Sequence, residues 1–384
     1  MTRITKPFKQ GADFEHLRKV IMRETKKGPV PIIELSADAE IMAKVTGIDF
    51  PPSDYNKLKT LNQDGSLDKM DQKTMEIGIR FMDLSVNFAE MVGYDYVTAT
   101  AIVPIRRTPA RLKKDPRDKE TVRVWQEEHQ GLIMNREDYD AYTWPSTDSI
   151  NLVALDLLAG MMQPEMKVLC FVMGIFEDLR ALMGFEQMAY QSIDEPELLG
   201  DILENLTVLC EAAVDRAAAH PVCGAIFYAD DLGHKNSTMV SPDFMRKWIF
   251  PRQRRIANAC HGHGKPFLFH CCGQVDAIME DLIETVGIDA RHSFQDNIEP
   301  VEEVYRKYGD RIAILGGVDV DLLSRGTPDQ VRARTREILQ ACAPGGGFCM
   351  GSGNSLPNFV NVENYYAMLE ETTKWNETHS ETST

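Results

Sequence analysis

Lys265-Pro-Phe-Leu-Phe-His-Cys-Cys-Gly273 is a short apolar run that ends in a histidine and two cysteines. Residues 276–286 follow with apolar positions spaced by three and four, and Gly287 closes them in the manner of a helix C-terminus. Residues 287–293 read as the next strand, with Ile288 and Ala290 as its apolar positions. This order of strand, helix and strand predicts two parallel strands joined by a crossover, the unit from which α/β proteins are built.

The same alternation extends in both directions. Apolar runs that read as strands recur at 30–35, 94–100, 166–172, 225–229, 266–270, 287–293, 312–315 and 347–350. Between them lie helical patterns. Ser241-Pro-Asp-Phe244 and Thr327-Pro-Asp-Gln330 each set a capping hydroxyl before a proline that suits the first helical turn. An N-terminal helical extension is expected over residues 14–25. Eight strand–helix repeats predict a (β/α)8 TIM barrel, with a doubly wound open sheet as the alternative. The first two units are irregular: 36–93 holds a loop and a long helical pattern at 71–92, and 102–149 is a polar insertion before the third strand. No linker divides the chain, so residues 1–384 are expected to form a single domain.

The chain has 384 residues, and 42 basic against 58 acidic residues give a net charge of −16. That balance argues against nucleic acid or an anionic membrane as a partner. The first residues hold no apolar stretch of signal-peptide length, and the longest apolar run, 168–176, is too short to span a bilayer. A soluble, cytoplasmic protein is the expectation. Eight cysteines in such a compartment are expected to be unpaired, and Cys170, Cys210, Cys223, Cys260 and Cys342 read as small buried hydrophobes.

Catalytic groups of a barrel project from the C-terminal strand ends. There fall Asp230 and Asp231 after the fourth strand, His270 at the end of the fifth, His292, Gln295 and Asp296 after the sixth, Asp319 after the seventh, and Cys349 in the eighth. Residues i and i+2 of a strand point the same way, so His270 and Cys272 can share a metal while Cys271 faces the helix layer. Two thiolates and an imidazole are ligands that zinc prefers, and three protein ligands leave a fourth position open for chemistry. His270, Cys272 and Cys349 are therefore the expected metal ligands. Asp230-Asp231 reads either as a substrate or metal carboxylate pair or as a helix N-cap or loop salt bridge, and Asp296 or His292 as a group near the fourth metal position, on substrate, or hydrogen-bonded within its loop. His261-Gly-His263 closes a helix and is set aside at the opposite face. The segment from Trp125 to Trp144 either covers the barrel mouth or packs on it. The 19 methionines read as core filler.

With these residues in hand, the chain resembles the uroporphyrinogen decarboxylase superfamily, and within it the zinc-dependent corrinoid methyltransferases. The stretches that carry the likeness are Tyr228-Ala-Asp-Asp-Leu-Gly233, Ser241-Pro-Asp-Phe244, His263-Gly-Lys-Pro-Phe267, His270-Cys-Cys-Gly273, Gly316-Gly-Val-Asp319 and Gly351-Ser-Gly-Asn354. The resemblance implies a (β/α)8 barrel, with His270, Cys272 and Cys349 on a catalytic Zn2+ and a carboxylate such as Asp296 near it. The decarboxylase branch carries an arginine-rich N-terminal segment, whereas Gly28-Pro-Val-Pro-Ile-Ile-Glu-Leu35 has none, which turns the reading away from porphyrinogen decarboxylation. Ala290-Arg-His-Ser-Phe294 with Asp296 is similar to the O-demethylase members that act on methoxylated aromatics.

The expected roles follow. Asp230 and Asp296 are catalytic, and Tyr228, Asp231, His292 and Phe294 bind substrate. No corrinoid-binding Asp-x-His-x-x-Gly motif occurs, so the corrinoid is expected on a separate partner protein. Methylcobalamin:thiol methyl transfer, a metal-free decarboxylase and a corrinoid-binding protein without catalysis are the rival readings.

Overall fold

The structure is a computed structural model, and it describes residues 8–9, 11–64, 71–107, 111–115, 118–125 and 131–379. Its centre is a parallel sheet of seven strands in the order β1 (Tyr96–Thr100), β4 (Lys167–Met173), β5 (Cys223–Ala229), β6 (Phe267–His270), β7 (Ala290–His292), β8 (Ala313–Leu315) and β9 (Phe348–Cys349). The eighth position belongs to the run expected at 30–35, which forms no continuous strand. Ile33 N donates to Met350 O and Met350 N to Pro31 O, both at 2.8 Å, and Ala37 bridges Leu356. On its other side the Tyr96 hydroxyl reaches Glu34, accepting from its N–H at 2.5 Å and donating to its carbonyl at 2.9 Å. The ring is thus that of an α/β TIM-type barrel, closed between β9 and β1 by extended backbone and a tyrosine hydroxyl.

Every residue of β5 is buried, as expected of a strand covered on both faces by barrel interior and helices. The helix Pro242–Trp248 begins where the sequence predicts, with the Ser241 side chain accepting from Phe244 N. The helix Pro328–Cys342 starts on a capping box of Thr327 and Gln330. The expected helix at 276–286 is different: a 3₁₀ turn at Asp276–Ile278 leads into a π-helical turn, Asp281–Val286. There Gly287 N bonds to Leu282 O, five residues back, and Gly287 adopts φ 85°.

The irregular early units are also more ordered than their composition suggests. Residues 36–93 contain three helices, Ala39–Thr46, Pro52–Asp64 and Gln72–Val92. The insertion before the third barrel position holds an antiparallel hairpin, β2 (Arg111–Asp115) with β3 (Asp118–Trp125), and the helix Arg136–Ala141. Residues 126–130 and the Trp125 side chain lie outside the described residues, while Trp144 packs on Tyr142 with ring centres 4.8 Å apart. All eight cysteines are free, and the five expected in the core are buried. Among the described residues no helix is long and apolar enough to cross a membrane.

Candidate metal centre

Strand parity sorts the polar residues at the C-terminal end of β5 and β6. Tyr228 and Asp230 share one side of their strand, and both turn to the N-terminus of the helix Ile175–Met183. Asp230 accepts from Phe176 N (3.2 Å), Glu177 N (2.9 Å), the Tyr228 hydroxyl (3.0 Å) and Gln253 Nε2 (2.9 Å). Tyr228 Oη in turn accepts from Ile175 N at 2.9 Å. Burial, opposed by those bonds, pushes the Asp230 carboxyl up to about 6. Asp230 thus caps the helix Ile175–Met183, and the Tyr228 hydroxyl, expected on substrate, is engaged with Asp230 and Ile175 N. The next residue, Asp231, has the opposite parity and reaches the site.

Asp231 meets His270 and Cys272 because the loops after β5 and β6 touch at two glycines. A Cβ on Gly273, which holds φ 81°, would stand 2.4 Å from Gly233 C, so neither position has room for a side chain. The contact continues as Gln274 N donates to His234 O at 2.8 Å. It sets Asp231 Oδ1 to accept from Cys272 N at 2.8 Å. His270 Nε2 lies 3.4 Å from Cys272 Sγ and 3.8 Å from Asp231 Oδ1. Cys271 turns away and takes a hydrogen bond from Leu232 N on its sulfur at 3.2 Å.

Among the described residues, one group of three has potential ligand atoms all within 4.8 Å of one another: Asp231, His270 and Cys272. Cys349 is not a member of it. It lies inside β9 opposite Leu315 and is fully buried; the charge its thiol feels is Asp95, just ahead of β1. The third place expected for Cys349 is taken by Asp231. The chain leaves the sheet after β9, and Phe294 N donates to Gly353 O at 2.8 Å. That pairing brings Asn354, rather than Cys349, to the site: its side-chain amide donates to Cys272 Sγ at 3.3 Å and to Ser293 Oγ at 3.4 Å. Neither Asn354 nor Ser293 was expected there, since only the turn geometry after β7 and β9 reveals them.

The set fits a zinc ion. Bonds of about 2.0–2.3 Å at a tetrahedral angle separate ligand atoms by roughly 3.3–3.8 Å, matching the observed 3.4 and 3.8 Å. Burial lowers the His270 imidazole to about 4, so it is neutral at physiological pH and keeps a lone pair to offer. Burial, reinforced by Asp231, pushes the Cys272 thiol up to about 12; a bound cation reverses that shift and holds a thiolate. The Asp231 side chain is 40 % exposed, so the group opens to one side.

The remaining expected residues fall around it. His292, expected on substrate, is completely buried behind His270, with the two Nδ1 atoms 2.7 Å apart. Asp296 is held by Arg334, at 2.8 Å from Nη2 to Oδ1 and 3.1 Å from Nε to Oδ2. Its backbone N–H donates to Asp319 at 2.9 Å, so it braces the loop after β7. A cavity of about 1050 Å³ lies on the far side of Asn354 from Cys272, lined among others by Phe294, Asp296, Asp319, Asn354 and Phe359. Phe294 is thus a wall residue, with the Arg291 guanidinium 5.1 Å from its ring centre on the protein side. Asn354 touches both this cavity and Cys272. His261 and His263 pair with Asp289 and Asp215, each at 2.8 Å, and take no part.

Residues 39–375 match the uroporphyrinogen decarboxylase (URO-D) family. The chain is 30% identical over 242 residues to the methylated-thiol–coenzyme M methyltransferase of Methanosarcina mazei, covering 60% of this chain and 62% of that protein. It is 23% identical over 221 residues to the methylcobamide:CoM methyltransferase MtaA of Methanosarcina barkeri, covering 57% and 61%. The chain thus spans about three fifths of the length of these two relatives. A solved methyltransferase from Methanosarcina mazei superposes with a TM-score of 0.70 at 16% identity, over 95% of this chain and 99% of that one.

Proposed function

The chain belongs to the uroporphyrinogen decarboxylase family, and from that premise and the site's geometry we propose that it is a zinc-dependent methyltransferase working with the corrinoid of a separate protein. One observation carries the reading: an oxygen, a nitrogen and a sulfur donor lie within 4.8 Å of one another, and Asn354, which touches the sulfur, also lines an open cavity. The two relatives support it, since both are named methyltransferases and one acts on a methylcobamide.

Zinc at such a site supplies a Lewis acid for the atom from which, or to which, a methyl group moves. Asp231 and Cys272 would hold it with two negative charges and His270 with a neutral ring. Asn354 donates its amide to the Cys272 sulfur, which draws charge from the thiolate. The cavity walls Phe294 and Phe359 offer apolar faces to the body of a methyl donor. We favour a methoxylated aromatic as that donor. A carboxylate gives less charge to a metal than a second thiolate does, so a set with Asp231 suits polarising an ether oxygen. The thiol reading is the second, favoured by the names of the relatives, in which thiols are the methyl acceptors or donors.

Elemental analysis of the purified, unchelated protein is expected to find about one zinc per chain; none would overturn the proposal. Turnover with a reduced corrinoid protein is then measured on methoxyphenols, methylated thiols and methylamines. Methoxyphenol demethylation supports the first reading, and turnover of thiols alone replaces it with the second.

A further inference from the structure

We propose that His292 is a positioning residue that fixes the ring of His270, in the tautomer His270 needs to offer its Nε2 lone pair. This rests on the reading of Asp231, His270 and Cys272 as a metal group. His270 and His292 are paired across the sheet in the register of β6 and β7, so their rings meet by backbone design, with centres 5.0 Å apart. The two Nδ1 atoms face each other at 2.7 Å. Only one proton fits between them: one nitrogen donates and the other accepts. His270 Nε2 faces Cys272 Sγ at 3.4 Å and must be bare to hold a cation, so its proton sits on Nδ1. His292 Nδ1 then accepts, and the His292 proton is on Nε2.

The surroundings hold His292 in that pose. Its ring is fully buried and stands edge-on to Phe227, with centres 5.6 Å apart at 77°. On the other side lies Gly316, where a Cβ would come within 3.2 Å of His292 Cδ2 and 2.2 Å of the Ser352 carbonyl. His292 Nε2 lies 3.3 Å from that same would-be Cβ and is directed at the backbone of Ser352, the group that favours its protonated form. A metal-bound histidine ordinarily donates its second N–H to a carboxylate, a carbonyl or water. A neutral imidazole takes that place here. It orients the His270 ring without the electron push of a carboxylate, which leaves a bound cation more electrophilic.

The test uses the full chain with ¹⁵N-labelled histidine. Long-range ¹H–¹⁵N spectra of the metal-free protein are expected to show protonated Nδ1 in His270 and protonated Nε2 in His292; the opposite tautomers overturn the proposal. Zinc affinity is then measured by competition with a chromophoric chelator. His292→Phe is expected to weaken it by about 10–100-fold, and His292→Asn, which restores an acceptor where Nδ1 stood, is expected to recover most of that loss. A folded His292→Phe protein that keeps zinc within about twofold of the parent overturns the proposal. If His292→Phe does not fold, the tautomers of the parent decide. A parent that binds no zinc removes the metal reading, while the tautomers still decide how the two rings are paired.

Discussion

Replacing Gly273 with alanine tests whether the contact between two loops builds the metal group. The backbone there has φ 81°, which costs an L-residue about 1–2 kcal/mol. The new Cβ would stand 2.4 Å from Gly233 C and 2.7 Å from His234 N. Ordinary contact begins near 3.4 Å, so the loops after β5 and β6 must part by about 1 Å. The Cys272 N–Asp231 Oδ1 bond of 2.8 Å would open to about 3.8 Å, beyond hydrogen-bond length, and the ligand spacings would widen with it. Gly273→Ala is expected to weaken zinc binding by roughly 10–100-fold. Gly264→Ala is the control: φ is 65° there, but nothing lies within 4 Å of the new Cβ. It carries the same backbone cost, about 1–3 °C in melting temperature for a chain of this length, and leaves zinc binding unchanged. Competition with a chromophoric chelator measures affinity, and thermal melts measure stability. A folded Gly273→Ala protein with parental zinc affinity would refute the loop-contact argument.

Further outcomes separate the residues by role. Cys272→Ser is expected to abolish stoichiometric zinc and Cys349→Ser to leave it bound, as read by metal analysis; the reverse pattern would return the third ligand to Cys349. Asp296→Asn is expected to leave turnover within about threefold, because Arg334 already engages both carboxylate oxygens. Arg334→Leu is expected to destabilise the fold by about 1–3 kcal/mol, since it strands Asp296 and Glu302 together; urea titration of both variants decides. Glu34 is fully buried against Ser352, and burial pushes its carboxyl up to about 8. Its folded value lies above the unfolded one, so its contribution to stability is present at acid pH and is lost as pH rises through about 8. Glu34→Gln is expected to flatten the fall in stability between about pH 5 and pH 8; a variant that follows the parent curve would show that Glu34 does not titrate there.

Much of this architecture is legible in the sequence because strand periodicity is a local property. Period two alone puts His270 and Cys272 together and turns Cys271 away. The same rule, applied to Tyr228, Asp230 and Asp231, would have sent the first two to the helix layer and kept Asp231 for the site. The place of Cys349 was not legible. What reaches Cys272 from the C-terminal segment depends on the turn after β9 and on the pairing of Phe294 with Gly353, which no repeat in the sequence reports. The π-helical turn at Asp281–Val286 was hidden for a related reason, since an apolar spacing of three and four does not distinguish it from an α-helix.

The way the barrel closes sets an order in time. Asp231, His270 and Cys272 come from the end of β6 and the loops after β5 and β6, and can meet once β5 and β6 are paired. The extended segment at 31–37 finds its partners, Met350 and Leu356, only when the last part of the chain has emerged. Contacts so distant in sequence form late, because the intervening chain must first lose its freedom. Asn354 travels with that closing segment. The three candidate ligands can therefore meet in a half-made barrel, while the amide on the Cys272 sulfur arrives with the segment that follows the final strand. A nascent chain able to capture its metal early would use it as a clamp on the β5–β6 pair before the ring is complete.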